Sequence, residues 1–351
     1  MSDRPCATLR STKAPLFAKV PGTSPVGPSI EGWRMVGPDP SAPPHLPVMV
    51  DEVVEVLRTV PVGPIVDATL GAGGHAAALL DALPEHSLIG VDRDDEALRL
   101  AGRGLARFGD RVVLRRANFD EVGDVVAALG LHGVSGLLFD LGVSSMQLDD
   151  AERGFSYRGD GPLDMRADRR QSTTAADVVN GYGEVELARV LARHGEERFA
   201  RRIARAVIAA RPLSTTGRLA EVVREAIPAP ARRRGGHPAK RTFQAVRIEV
   251  NGELATLGAA LDRALGLLVA DGRCAVLSYH SGEDRIVKGR LVEAATGGCA
   301  CPPRLPCVCG AVPSVRLVWR GAHRPSTAEL AVNPRSESAR LRAAEKLEAV
   351  S

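Results

Sequence analysis

The sequence predicts an α/β fold, a doubly wound parallel sheet with an inserted helical domain, on the strength of three observations. Ile65-Val-Asp-Ala-Thr-Leu-Gly-Ala-Gly-Gly-His75 reads as strand, glycine loop and helix start, and Leu88-Ile-Gly-Val-Asp92 reads as the next strand, closed by an acid. Apolar strand runs and helical spacings then alternate as far as Asp140. A basic helical block interrupts this alternation, which resumes at Gly272-Arg-Cys-Ala-Val-Leu-Ser-Tyr-His280.

The first strand ends at Asp67, and Gly71, Gly73 and Gly74 let the backbone approach a ligand where a Cβ would clash. Ala76-Ala-Ala-Leu-Leu80 then continues in helical spacing. Asp92 lies 25 residues after Asp67, where a carboxylate can accept hydrogen bonds from both hydroxyls of a ribose. Gly71-x-Gly73-x-x-Ala76 fits a dinucleotide loop about as well as an S-adenosylmethionine loop, so the loop alone leaves NAD and S-adenosylmethionine both open. Beyond Asp92 the pattern predicts a helix over 95–108 capped by Asp94, a strand over 112–116, a helix over 121–129 and a strand over 137–140. Such sheets bind ligands at the carboxyl ends of their strands, which collects the glycine loop, Asp92, Asn118-Phe119 and Asp140 in one crevice.

A chain of 351 residues suits one large domain with an insertion, or two domains. Hydrophobic content of 44% indicates a soluble globular protein, and no stretch approaches the roughly 18–20 uncharged apolar residues of a membrane span. Residues 1–44 hold nine of the 24 prolines and no apolar core of a secretory signal, which predicts a disordered Pro-rich tail or an overcalled start codon. The fold is expected to run as residues 45–149, an inserted substrate-recognition domain over 150–245, and a return over 246–351. Cys6 and Cys274 are isolated, and without an export signal the cysteines point to a reducing, cytoplasmic location. Cys299-x-Cys301-x5-Cys307-x-Cys309 could close a tetrahedral zinc site, but paired ligands usually come as C-x2-C or wider. The spacing therefore favours reduced thiols, and no metal ligand is assigned.

Residues after Asp140 turn to Gly, Ser and charge, as in a long functional loop. Helices return between 175 and 227, where Phe199, Ile203 and Val207 mark one face while Arg198, Arg201, Arg202 and Arg205 lie elsewhere. Residues 189–241 carry fourteen Lys/Arg against four Glu, a surplus of ten in a chain whose total is +4. A polyanion is the natural partner for such a block, with solvated surface as the alternative. Aromatics at 3% argue against stacking many bases, so recognition would rest on shape, phosphates and one captured base.

Seven motifs in order become distinctive together. They are Gly71-Ala-Gly-Gly-His75, Asp140-Leu-Gly-Val-Ser-Ser145, Gln147-Leu-Asp-Asp-Ala-Glu-Arg-Gly-Phe-Ser156 and Asp160-Gly-Pro-Leu-Asp-Met-Arg166, then Gly195-Glu-Glu-Arg-Phe-Ala200, His237-Pro-Ala-Lys-Arg-Thr-Phe-Gln-Ala-Val-Arg247 and Ser278-Tyr-His-Ser281. Over about residues 45–345 the chain resembles the bacterial small-subunit (16S) ribosomal RNA cytosine-N4 methyltransferases, the MraW family. The resemblance implies a Rossmann-like class I S-adenosylmethionine methyltransferase that acts on a cytidine of the ribosomal decoding region. It implies Gly73, Gly74, His75, Asp92, Phe119, Asp140 and Gln147 as cofactor residues. Proline, leucine and phenylalanine are more usual in the family at Met146, Gly282 and Tyr279, departures expected to touch loop packing more than cofactor contacts.

An exocyclic amine is a poor nucleophile because its lone pair is delocalised into the pyrimidine ring, so its hydrogens need acceptors and its approach needs positioning. The Asn/Asp/Ser-Pro-Pro-aromatic tetrad of many amine methyltransferases is replaced here by Asp140-Leu-Gly-Val. Asp140 is the candidate catalytic acceptor by location, with Ser144, Ser145 and His280 as candidate base contacts. Asp164 is secondary, since it and Arg166 equally suit a structural tie. The expected partner is small-subunit rRNA within the assembled 30S subunit, without a membrane; oligomeric state stays open, a dimer included. DNA or another RNA as substrate, and a non-catalytic ribosome-assembly role, are the alternatives. An NAD dehydrogenase drops out, since nothing supplies a hydride-transfer His/Arg pair.

Overall fold

The computed structural model describes residues 47–232, 236–302 and 308–348, so the expectations for residues 1–44 and for Cys307 fall outside the described residues. Helix α1 (Val50–Leu57) precedes β1 (Pro64–Asp67), α2 (Gly74–Ala82), β2 (Ser87–Asp92), α3 (Asp95–Leu105), β3 (Val112–Arg116), α4 (Val122–Ala128) and β4 (Val134–Asp140). The short α5 (Ser145–Asp149) then leads into α6 (Ala175–Gly181), α7 (Glu184–Gly195), α8 (Ala200–Ala209), α9 (Thr216–Ala226), α10 (Ala229–Arg232) and α11 (Lys240–Asn251). The chain returns through α12 (Glu253–Leu267), β5 (Leu268–Ser278), α13 (Ser281–Thr296), β6 (Val315–Leu317), α14 (Thr327–Val332) and β7 (Arg340–Lys346).

The sheet order is β3-β2-β1-β4-β5-β7-β6, with β1 to β5 parallel and β7 antiparallel to both of its neighbours. Strand order reverses between β1 and β4, which makes their carboxyl ends the topological switch point where such sheets hold ligands. Strands β2 and β4 are buried along nearly their whole length, as expected when helices cover both faces. Side chains alternate between those faces. Val66, Leu137 and Phe139 pack towards α4, α12 and α13, whereas Ile65 and Leu138 pack towards α1 and α2.

The predicted α/β fold with a helical insert is the observed one, with shifted edges. The helix expected over 95–108 stops at Leu105, because Gly109 (φ 54°, ψ −131°) breaks the helical path and leaves a 3-10 stretch. Its start is as expected, Asp94 accepting from the Glu96 N–H. The inserted helices keep a hydrophobic core of their own from Phe155 to Val250, and the expected junction at 245/246 falls inside α11. The helical layer ends where Gly252, in the left-handed region, turns the chain into α12. Helix α8 is amphipathic as predicted, with Ile203 and Val207 buried and Arg201, Arg202 and Arg205 exposed; Arg198, also exposed, precedes the helix.

Candidate active site

A crevice of about 960 Å³ opens at the switch point, between the strand ends and the helical layer. Its sheet side is built by the glycine loop. Gly71 (φ 53°) and Gly73 (φ 83°) both take left-handed backbone, and a Cβ on Gly73 would press Ala101 and Leu105 at 3.2 Å. Gly73 is the N-cap of α2 without a side-chain cap, so the first N–H groups of that helix are left to the crevice.

Asp92 closes β2 and holds the loop in place. Its Oδ2 accepts from the Gly71 N–H at 2.8 Å and its Oδ1 from the Asp94 N–H at 2.9 Å, while burial pushes its pKa up. Each carboxylate oxygen keeps a further lone pair for a ligand. Phe119 opens the turn after β3, half-buried beside Asn118, and meets Phe139 edge-on with ring centroids 6.5 Å apart. The Phe119 side chain lines the crevice.

Asp140 ends β4, and its backbone N–H donates to Thr69 Oγ1 at 2.6 Å. Its carboxylate is gripped from two sides: the Tyr279 hydroxyl donates to Oδ1 at 2.6 Å, and His75 Nδ1 lies 3.4 Å from Oδ2. His75 Nε2 is 2.9 Å from the Val48 carbonyl, which can only accept, so Nε2 carries a proton. A neutral ring would then turn a lone pair on Nδ1 towards a carboxylate. Burial opposes charging His75, but the Asp140 carboxylate outweighs it and holds the imidazole above its ordinary value. Below the ring lies Asp67, pushed up to about 7 by burial against the pull of His75 and the Thr69 N–H. The sequence predicts a packing role for Tyr279. Its hydroxyl instead contacts the candidate catalytic carboxylate, a correction invisible in sequence because the strands that carry the two residues are 139 positions apart.

Gln147 lines the crevice, but its amide is engaged at both ends. Oε1 accepts from the Ser144 N–H at 3.2 Å, within the capping box of α5, and Nε2 donates to Asp94 Oδ2 at 2.8 Å. Asp94 Oδ2 also accepts from Arg153 at 2.7 Å, with both side chains almost fully buried. Burial alone would raise Asp94, yet Arg153 and Gln147 hold it below the ordinary carboxylate value. This strut ties the cap of α3 to the entrance of the helical layer, and Arg153 further donates to the Arg166 and Ala167 carbonyls.

Ser144 is likewise a helix cap, accepting from the Gln147 N–H at 3.3 Å; the Ser145 side chain is outside what is described. Asp164 and Arg166 form a two-pronged pair at 2.8 Å for each prong, which suits the structural tie. His280 caps α13, its Nδ1 accepting from the Gly282 and Glu283 N–H groups at 3.2 and 3.4 Å. Nε2 sits 3.2 Å from Glu283 Oε1 at an angle that makes no hydrogen bond.

The wall opposite the sheet comes from the helical layer and α12. Arg247 donates to Glu253 Oε2 at 2.8 Å, leaving Arg247 Nε and Glu253 Oε1 buried without a partner. Tyr157 stacks on His237 (centroids 4.5 Å, 16°) and meets Phe243 edge-on. The cations on this wall are Arg158, Lys240 and Arg247, not the arginines of α8, which line no part of the crevice. The buried Arg247–Glu253–Glu283–His280 cluster and the Asp94–Arg153 strut escape sequence reasoning. Their only sequence signal is the membership of Arg153, Arg247 and His280 in the distinctive motifs.

The family model described as the MraW methylase family matches residues 42–347. The ribosomal RNA small subunit methyltransferase H of Symbiobacterium thermophilum is 53% identical over 310 residues, covering 87% of this chain and 97% of that protein. The protein of the same name from Thermobifida fusca is 54% identical over 312 residues, 87% of this chain and 94% of its own. A solved structure of a putative rRNA-methylase from Clostridium thermocellum aligns with 86% of this chain and all of its own, at a TM-score of 0.40 and 14% identity. With a match across almost all described residues and more than half of the aligned positions identical, the chain belongs to the MraW methylase family.

Proposed function

We propose that this chain methylates the N4 amine of a cytidine in the decoding region of small-subunit ribosomal RNA, with S-adenosylmethionine as donor. The carrying observation is membership of the methylase family across residues 42–347, on a fold whose crevice lies at the switch point. The residues fit the donor. Gly71 brings left-handed backbone to the crevice, Asp92 and Asp140 line it with carboxyl groups that suit a cation, and the uncapped start of α2 suits a carboxylate.

S-adenosylmethionine supplies, when bound, a methyl group made electrophilic by its sulfonium. Asp92 offers its remaining lone pairs to the ribose hydroxyls, and Phe119 covers the adenine. Gly74 and His75 line the crevice and would back the methionine end, whereas Gly73 packs against Ala101 and Leu105; Gln147 acts through Asp94 and not through a free amide. Asp140, held by Tyr279 and His75, keeps lone pairs for a hydrogen of the incoming amine, which localises the nitrogen lone pair and takes the proton as the N–C bond forms. Arg247 Nε and Glu253 Oε1 offer a buried donor and acceptor to the base edge, and the Tyr157 ring a flat neighbour.

An assembled subunit is the preferred substrate, since a folded particle can present a base whose extrusion from structured RNA would cost a few kcal/mol. A cytoplasmic location follows from that partner; among the described residues no helix is long and apolar enough to cross a membrane. The test is methyl transfer from radiolabelled S-adenosylmethionine to small subunits from cells lacking this gene, followed by nucleoside analysis. N4-methylcytidine is expected. Cofactor binding without incorporation into rRNA would move the substrate elsewhere, with DNA and other RNAs as the next assays.

A further inference from the structure

The loop from α13 to β6 exposes apolar side chains, with Val308 88% and Val312 64% accessible, and none of its described residues belongs to a hydrophobic core. Its ends are pinned to α13 by backbone bonds: Cys299 N–H to the Thr296 carbonyl at 3.1 Å, Gly298 N–H to Glu293 at 3.0 Å and Ser314 N–H to Ala294 at 2.9 Å. Gly298 and Gly310, the residues flanking Cys299 and Cys309, take left-handed backbone at φ 73° and 70°. The sulfurs of Cys299, Cys301 and Cys309 all come within 4.8 Å of one another.

We propose that Cys299, Cys301 and Cys309 bind a zinc ion that clamps this loop to the end of α13. Zinc–thiolate bonds of about 2.3 Å at tetrahedral angles place sulfurs about 3.8 Å apart. The Cys299 and Cys309 sulfurs are 3.6 Å apart, far beyond the roughly 2.05 Å of a disulfide and close to that tetrahedral edge. The Val308 and Cys309 backbone N–H groups are directed towards the Cys301 sulfur. Amide donors around a sulfur are what a thiolate ligand needs from its surroundings. The C-x-C spacing argues for reduced thiols because paired ligands usually come wider apart; the observed convergence of the three sulfurs answers that objection. The three thiolates leave one tetrahedral position for a further donor. The ion would sit near the far end of a 16-residue helix whose start, at His280, faces the crevice. That is about 24 Å away, so its role is structural.

The full chain, prepared without a metal-binding tag, is assayed for metal by mass spectrometry. About one zinc per chain is expected, falling roughly tenfold or more in Cys299→Ser and in Cys309→Ser but not in Cys6→Ser. Because a variant can misfold, the reduced, metal-stripped parent is also titrated with Co²⁺. A thiolate-to-cobalt charge-transfer band with proton release is expected in the parent, and loss of the band in Cys301→Ser. A parent that takes up neither zinc nor cobalt, or metal that survives Cys309→Ser, overturns the proposal.

Discussion

The Tyr279 hydroxyl donates to Asp140 Oδ1 at 2.6 Å, joining the end of β4 to the residue that follows its neighbour β5, beside the switch point. Burial first, and then the neighbouring Asp140 charge, push the phenol well above its ordinary pKa, so it stays protonated and a donor. With His75 on the other oxygen, the carboxylate has one orientation.

That orientation makes Asp140 and Tyr279 separable by kinetics. Asp140→Asn keeps an acceptor for Tyr279 but cannot take a proton, so kcat for methyl transfer should fall by about 10²–10⁴. Tyr279→Phe removes one charge-assisted hydrogen bond and leaves the ring in place, so kcat should fall by roughly tenfold or less with donor affinity almost unchanged. Single-turnover rates and donor titrations check both. An Asp140→Asn chain as active as the parent would leave Asp140 with no chemical part.

The chain without its cofactor should lose stability as pH rises from about 4 to 7. Asp67 ionises at about 7 in the fold against an ordinary value of 3.8, so the unfolded chain gives up this proton first and unfolding is favoured progressively across that interval. His75 acts in the same direction: its folded value is raised above 6.5, and the stability present below that pH is lost as pH climbs through the folded value. The slope should approach about 1 kcal/mol per pH unit. Asp67→Asn retains an acceptor for the Thr69 N–H and should flatten it. Urea unfolding at four pH values reads this out, and a parent curve that rises with pH would mean that Asp67 is ionised in the fold.

The sheet and the glycine-loop end of the crevice were legible because they depend on local pattern. The apolar runs of β1 and β2, the glycines after Asp67 and the cap at Asp94 each act within a few residues of themselves. The partners of Asp140 and Asp94 were not legible, because Tyr279 and Arg153 reach them through tertiary packing, 139 and 59 positions away in the chain. Gln147 shows the difference most plainly. Its motif is recognisable, but only the fold shows both ends of its amide already bonded.

The buried Asp94–Arg153 strut should matter more for stability than any surface pair. Removing one partner of a buried ion pair leaves an uncompensated charge, which typically costs about 3–5 kcal/mol. Arg153→Ala strands Asp94 with only Gln147 and the Glu96 N–H, and also frees the Arg166 and Ala167 carbonyls. Adding Asp94→Asn, which still caps α3, should restore part of the loss. Denaturant midpoints of the single and double variants decide it. An Arg153→Ala loss below about 1 kcal/mol would show that water reaches the strut.

The arginines of α8 should act on the substrate without touching the cofactor. Arg205 lies 3.6 Å from Glu184, whereas Arg201 and Arg202 have no acidic partner among the described residues. Their exposed face is therefore available to phosphates, and each phosphate they neutralise should release condensed counterions. Replacing Arg201 and Arg202 together by Ala should weaken binding of small-subunit rRNA and reduce the slope of log affinity against log salt by about one for each phosphate no longer neutralised. Donor affinity should not change, because neither residue lines the crevice. An unchanged salt slope would assign this face to solvation and leave phosphate binding to Arg158 and Lys240 at the crevice wall.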